Sequence, residues 1–107
     1  MRIKISGVNL SITSDMRAYA EYRFFTSMAP HESEIRAVDV VLRRDSASNR
    51  QFLCTVIVDL ASSDRIKTQA RAAYLTAAID RTADRTAWLV RRRADQDFSL
   101  KSPAFSS

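Results

Sequence analysis

Four residues in the last third of the chain carry the clearest chemistry: Arg81, Arg85, Trp88 and Arg92, spaced four, three and four apart. On a helix, at about 100° per residue, they fall within roughly 60° of one another. Guanidinium groups grip phosphate oxygens in a fixed fork, and an indole ring set among them offers a surface on which a base can stack. The chemistry of the stripe is therefore recognition of a polyanion, with no proton transfer. Leu75, Ile79, Ala83, Thr86 and Val90 lie on the opposite side and can dock on a core, which turns the stripe toward solvent or a partner. Arginines also serve merely to solubilise an exposed helix. The bulk charge favours a partner: 17 Lys and Arg against 12 Asp and Glu in 107 residues give a formal net charge of +5 and a pI near 10.0.

The flanking residues extend the same reading. Arg65 and Lys67 add cations before the helix, and Arg91 and Arg93 add cations at its end, where they either offset the exposed carbonyls of the helix terminus or contact RNA. Trp88 has two readings, a cap on the edge of the core or a stacking partner for a base, Arg85 or Arg92. Asp80 and Asp84, one turn apart among arginines, read as local ion-pair partners and not as an acid/base pair. His31 has no second His or Cys at ligand spacing, so no metal site is expected. Gly7 is the only glycine, which excludes a glycine-rich phosphate loop. Cys54, the only cysteine, sits in an alternating apolar run and fits a reducing compartment. Neither a cofactor nor a small-molecule substrate is implied, and no constellation for an enzyme is present. With no long apolar segment, the reading is cytoplasmic, without a membrane partner. The sequence leaves the oligomeric state open.

One domain with a modest core suits this length, and 46% hydrophobic with 27% charged residues is globular composition. Arg2 to Ser6 alternates toward Gly7 and predicts a first strand with Ile3 and Ile5 buried. Thr13 or Ser14 then caps a helix ending before Pro30. Within it Tyr19 and Phe24 read as core, whereas Tyr22 and Phe25 lie round the cylinder as an exposed aromatic edge suited to a partner. Residues 35–44 and 51–60 alternate as strands around a polar loop at 45–49. Residues 64–70 predict a fourth strand with Ile66, Thr68 and Ala70 inside and Arg65, Lys67 and Gln69 outside. The second helix is expected over 72–93. The fold class that follows is α+β: a β-α-β-β-β-α two-layer sandwich, a four-stranded mixed sheet with both helices on one face. The first two strands are expected to be parallel through a right-handed crossover. Arg2, Lys4, Arg43, Arg65 and Lys67 are then candidates for the open face. Residues 1–94 form the domain, and 95–107 read as a polar, flexible tail.

Two stretches resemble the ribosome hibernation-promoting factor and ribosome-associated inhibitor family. One is residues 1–23, MRIKISGVNLSITSDMRAYAEYR, similar to that family's opening strand, Gly-x-Asn turn and Ile-Thr helix start. The other is residues 77–85, AAIDRTADR, similar to its Ala-Ala-Ile-Asp segment leading into a basic final helix. The resemblance spans about residues 1–94 and implies a non-enzymatic protein in the mRNA and tRNA channel of the small ribosomal subunit, bound to rRNA, silencing idle ribosomes under stress. Arg17 and Arg23 match basic positions of the family's first helix, and Arg85 and Arg92 of its second. The chain is a divergent member. Tyr74, Leu75 and Thr76 replace the usual Asp-Met-Tyr, Trp88 stands at a commonly basic position, and residues 25–28 lack a Lys-x-x-Leu pattern. The resemblance also implies a single ribosome-binding domain, without the C-terminal ribosome-pairing domain of the family's long class. The alternative reading is an RNA-binding or protein-interaction module that keeps the fold and has another target.

Overall fold

A computed structural model describes residues 1–45 and 47–100, the side chains of 48–50 and 97–100 excepted. The elements are β1 (Arg2–Val8), α1 (Ser14–Met28), a 3-10 segment (Ala29–Glu34), β2 (Ile35–Asp45), β3 (Ser48–Leu60), β4 (Arg65–Ala72) and α2 (Leu75–Leu100). The strands lie in the order β1-β2-β3-β4, with β1 parallel to β2 and the other pairs antiparallel. The expected β-α-β-β-β-α sandwich is present.

Period-two alternation places Ile5, Val38, Val40, Leu42, Cys54, Val56, Val58 and Ile66 on one face of the sheet. Phe24 and Met28 of α1 and Ile79, Ala83 and Val90 of α2 complete that core. Both helices thus cover a single face. Thr13 caps α1, its Oγ1 accepting the Met16 N–H at 3.1 Å, and Asp15 in the first turn complements the helix dipole. Three buried threonines tie α2 to β4 and to its own backbone. The Thr68 and Thr86 hydroxyls lie 2.6 Å apart, Thr86 donates to the Thr82 carbonyl at 2.6 Å, and Thr82 donates to the Ala78 carbonyl at 2.7 Å. Their polar groups are thereby satisfied inside an apolar layer.

The structure corrects three boundaries. The 45–49 loop shrinks, because β2 runs to Asp45 and β3 resumes at Ser48. Asp45 is buried, yet its carboxylate accepts the Ala47 N–H at 3.1 Å and the Arg71 Nε–H at 2.6 Å, which turns the chain within two residues. The Ala47 N–H holds the Asp45 carboxyl below the ordinary carboxylate value, against burial, with Arg71 adding to the same effect. The second helix starts at Leu75 and not at residue 72, since the alternation of β4 continues until Ala72 is buried opposite Phe52. At its other end α2 continues to Leu100 instead of stopping at Arg93. Residues 94–100, polar apart from Ala94, Phe98 and Leu100, hold no glycine or proline, so nothing in them breaks a helix. The rest of the predicted tail, 101–107, lies outside the described residues. No helix among those described is long and apolar enough to cross a membrane.

A polar clamp sets how α2 lies beside α1. Tyr19 Oη donates to Asp80 Oδ1 at 2.6 Å, Arg23 Nε donates to the same oxygen at 2.8 Å, and Arg23 Nη2 reaches Asp84 Oδ1 at 3.2 Å. Partial burial pushes the Asp80 pKa up, but the Tyr19 and Arg23 hydrogen bonds outweigh it and leave the group below its ordinary value. The phenol of Tyr19 moves the other way, raised chiefly by its bond to the Asp80 carboxylate.

Two predictions follow from these contacts. A Cβ at Gly7 would meet the Leu10 carbonyl oxygen and approach Ile12 Cδ1 to 2.9 Å. Gly7→Ala should therefore cost about 2 kcal/mol in urea unfolding, and an unchanged midpoint would show that the loop after β1 yields freely. For the clamp, a carboxylate with a depressed folded pKa stabilises above its unfolded pKa, near 3.9, and loses that contribution as pH falls through the folded value. Asp80→Asn should cost about 1 kcal/mol at pH 7, because solvent partly screens the half-exposed pair. That gap should close as the pH drops below the unfolded pKa; a gap that stays constant with pH would refute the ion-pair account.

Candidate nucleic-acid interface

The alternation of β4 that sends Ile66, Thr68 and Ala70 into the core sends Arg65, Lys67, Gln69 and Arg71 out onto the open face. Arg2, Lys4 and Arg43 emerge there too, as expected from their strand positions. This face is not uniformly basic. Register places Asp39 between Lys4 and Ile57, and Asp59 opposite Arg65, whose Nε donates to Asp59 Oδ1 at 2.7 Å. Leu53, flanked in register by Arg43 and Arg71, is only 4% exposed, so the open face has an apolar centre and cations along its edges.

β4 is an edge strand, and α2 overhangs its free edge. Arg81 Nη1 donates to the Arg71 carbonyl at 2.9 Å, and Arg85 Nη1 donates to the Gln69 carbonyl at 2.7 Å. One turn on, the Arg92 guanidinium lies 5.2 Å from the centroid of the Trp88 ring. Arg92 and Arg93 then join Arg65, Ile66, Leu89 and Gln96 around a hollow of ≈ 320 Å³. Each of Arg81 and Arg85 uses one of five donors on the strand edge and remains exposed. Held at one N–H, these guanidinium groups lose less freedom on meeting a phosphate than free side chains do.

The ten residues singled out by sequence thus divide. Arg65, Lys67, Arg81, Arg85, Trp88, Arg92 and Arg93 share the β4/α2 flank, whereas Arg91, seven residues after Asp84, lies round the helix on the side of that carboxylate. Lys67 and Arg91 have no side-chain partner among the described residues, while Arg93 pairs with Asp64 at 2.6 Å. Arg17 lies at the far edge, its Nη1 donating to the Ile5 carbonyl of β1. Arg23 is consumed by the clamp, where the bond to Asp80 raises its pKa and outweighs the opposing effect of burial. Asp80 and Asp84 are ion-pair partners, although of Arg23 on the other helix and not of their arginine neighbours.

Trp88 does not cap the core: it is 56% exposed, because it shares a helix side with the arginines and faces away from Val90. Arg71, absent from the sequence-derived set, belongs on this flank. Its signal was the alternation Arg65, Lys67, Gln69, Arg71 carried one step further.

The opposite flank differs in kind. Tyr22 and Phe25 are 65% and 52% exposed, and with Met1, Ile3, Ala18 and Glu21 they border a shallow hollow of ≈ 470 Å³. Tyr19, read as core, is partly buried, with its hydroxyl in the clamp. Cys54 is buried in the core, and that burial pushes its thiol up to about 11 against an opposing bond with Thr82, which leaves it inert as a nucleophile. Among the described residues no three His, Cys, Asp or Glu side chains gather as a metal site.

Comparison with known proteins places this arrangement. Among solved structures, the N-terminal domain of Protein Y from Thermus thermophilus is 31% identical with a TM-score of 0.73, over 86% of this chain and 98% of that one. A ribosomal subunit interface protein from Coxiella burnetii shares the fold at 16% identity and a TM-score of 0.79, over 89% of this chain and 99% of that one. No curated protein matches the chain. Residues 3–97 match the family described as Sigma 54 modulation protein / S30EA ribosomal protein. The chain belongs to that family, the ribosome hibernation family that its opening stretch and its Ala-Ala-Ile-Asp segment resemble.

Proposed function

We propose that this protein binds rRNA of the small ribosomal subunit in the channel used by mRNA and tRNA, and silences idle cytoplasmic ribosomes by occupying that path. The observation that carries this reading is the β4/α2 flank, where Arg81 and Arg85 are pinned to a strand edge with their remaining donors exposed. Family membership supplies the target class, and one of the two solved neighbours is itself described as a ribosomal subunit interface protein.

Such a surface works without bond chemistry. Arg and Lys neutralise phosphates and release condensed counterions, and the bound body excludes other ligands by its bulk. A-form RNA hides its base edges in a deep, narrow major groove, so a rigid basic flank reads backbone shape before sequence. Contact with about six phosphates would lose roughly 10³-fold in affinity between 50 and 200 mM salt. The channel is shared with tRNA, so inhibition and tRNA exclusion are one event.

Co-sedimentation with isolated subunits tests this directly. The expected result is stoichiometric binding to the small subunit, competed by tRNA, with a salt slope that falls by about 2 in Arg85→Glu/Arg92→Glu and affinity at least 100-fold weaker. Circular dichroism of the double variant must show the native fold. Failure to bind either subunit, or binding indifferent to both substitutions, would retire this target and leave the general RNA-binding module as the reading.

A further inference from the structure

We infer that Trp88, Arg92 and Asp95 form a stacking site for one unpaired RNA base, with guanine the best fit; this rests on the flank being an RNA-binding surface. The fold gives Trp88 no task. Ala83, Thr86 and Val90 dock α2 from the other side, while the indole stays largely in solvent beneath the Arg92 guanidinium. Trp88, Arg91, Arg92 and Asp95, at helical spacings of three, four and seven, border an open surface hollow of ≈ 240 Å³, room for one flat heterocycle laid against the indole. A base entering it gains a π surface from the indole and a cation from Arg92, and Arg91 beside it is free to meet the attached phosphate.

Asp95 is the part that simple phosphate binding does not explain. It is exposed on a basic flank and, among the described residues, has no ion pair even though Arg91 stands one turn before it. Toward phosphate alone this carboxylate is repulsive. Toward the edge of a stacked base it is an acceptor with two oxygens. Guanine presents two adjacent N–H donors, N1–H and the N2 amino group, and matches a carboxylate side by side as a guanidinium does. Cytosine and adenine offer an amino group beside a bare acceptor nitrogen. Uracil sets its one N–H between two carbonyls that oppose the carboxylate. Pairing occupies the same edge of guanine, so the site takes bases from loops, bulges or single strands.

Trp88 is the only tryptophan in the chain, so indole emission, excited selectively over the tyrosines, reports this site alone. The full chain is titrated at constant salt with hexauridylate, with the same oligomer carrying one central guanine, and with a short duplex. The guanine oligomer should quench emission to saturation at a concentration at least 5-fold below the all-uridine oligomer, and the duplex should quench little. Asp95→Asn should bind the all-uridine oligomer more tightly, through lost repulsion, while erasing the guanine preference. With a fluorescein-labelled oligomer followed by anisotropy, Trp88→Phe should retain binding and Trp88→Ala should weaken it about 10-fold.

Emission unmoved by saturating oligomer, or quenched equally by duplex, overturns the site. A guanine preference that survives Asp95→Asn overturns the role of Asp95. Subunit binding without oligomer quenching removes the base site and leaves the ribosome reading intact. Quenching without subunit binding supports the base site and removes the ribosome.

Discussion

The unpaired edges of the sheet are the constraint on which the rest of the structure depends. A four-stranded open sheet has two edges, and each presents backbone carbonyls that invite another strand. Here both edges receive arginine. Arg17 of α1 donates to Ile5 on β1, and Arg81 and Arg85 of α2 donate to Arg71 and Gln69 on β4. Edge protection and the proposed phosphate recognition can share one side chain, because a guanidinium has donors enough for both. The two demands meet on the β4 side, where several further cations lie along the same flank. On the β1 side Arg17 shares a hollow with Arg2 and Lys4 but also with Glu21, Asp39 and Asp59, whose carboxylates offset those cations and suit the edge less well to a polyanion.

This arrangement works only if α2 is held at the right height over β4. The threonine contacts fix its inner side, and Tyr19 and Arg23 fix its flank through Asp80. Arg23 therefore has a structural duty where a basic residue on α1 suggested a ligand contact. Its position is also revealing about charge: an arginine that neutralises Asp80 and Asp84 in the cleft keeps those carboxylates from weakening the basic flank on the far side of α2.

Much of the fold was legible because alternation and helical periodicity are local signals. Ile66, Thr68 and Ala70 against Arg65, Lys67 and Gln69 define β4 without reference to any other strand, and the apolar face from Ile79 to Val90 defines the inner side of α2. What escaped was of two kinds. Boundaries failed where polarity stood in for a breaker, as at residues 94–100, or where the alternation was cut early, which hid Arg71 on the open face. Partners failed where they depend on tertiary placement. Nothing local says that Arg23 meets Asp80 across 57 positions, or that Arg85 turns back onto a carbonyl of the strand before its own helix.

The indole at position 88 changes the terms of binding as well as its site. Resemblance to the family places a basic residue there, and a cation at that point adds a phosphate contact whose contribution falls steeply with salt. A stacked tryptophan contributes through surface and dispersion, which salt screens little. Exchanging one for the other lowers the slope of the salt dependence while restoring affinity from a different source, and it demands an exposed base instead of any phosphate. The cost is generality: a flank that needs one unpaired base is confined to the parts of a folded RNA that supply it. In the proposed complex the arginines pinned along β4 would set the approach to the RNA backbone, and the Trp88 end of α2 would select where along it the protein comes to rest.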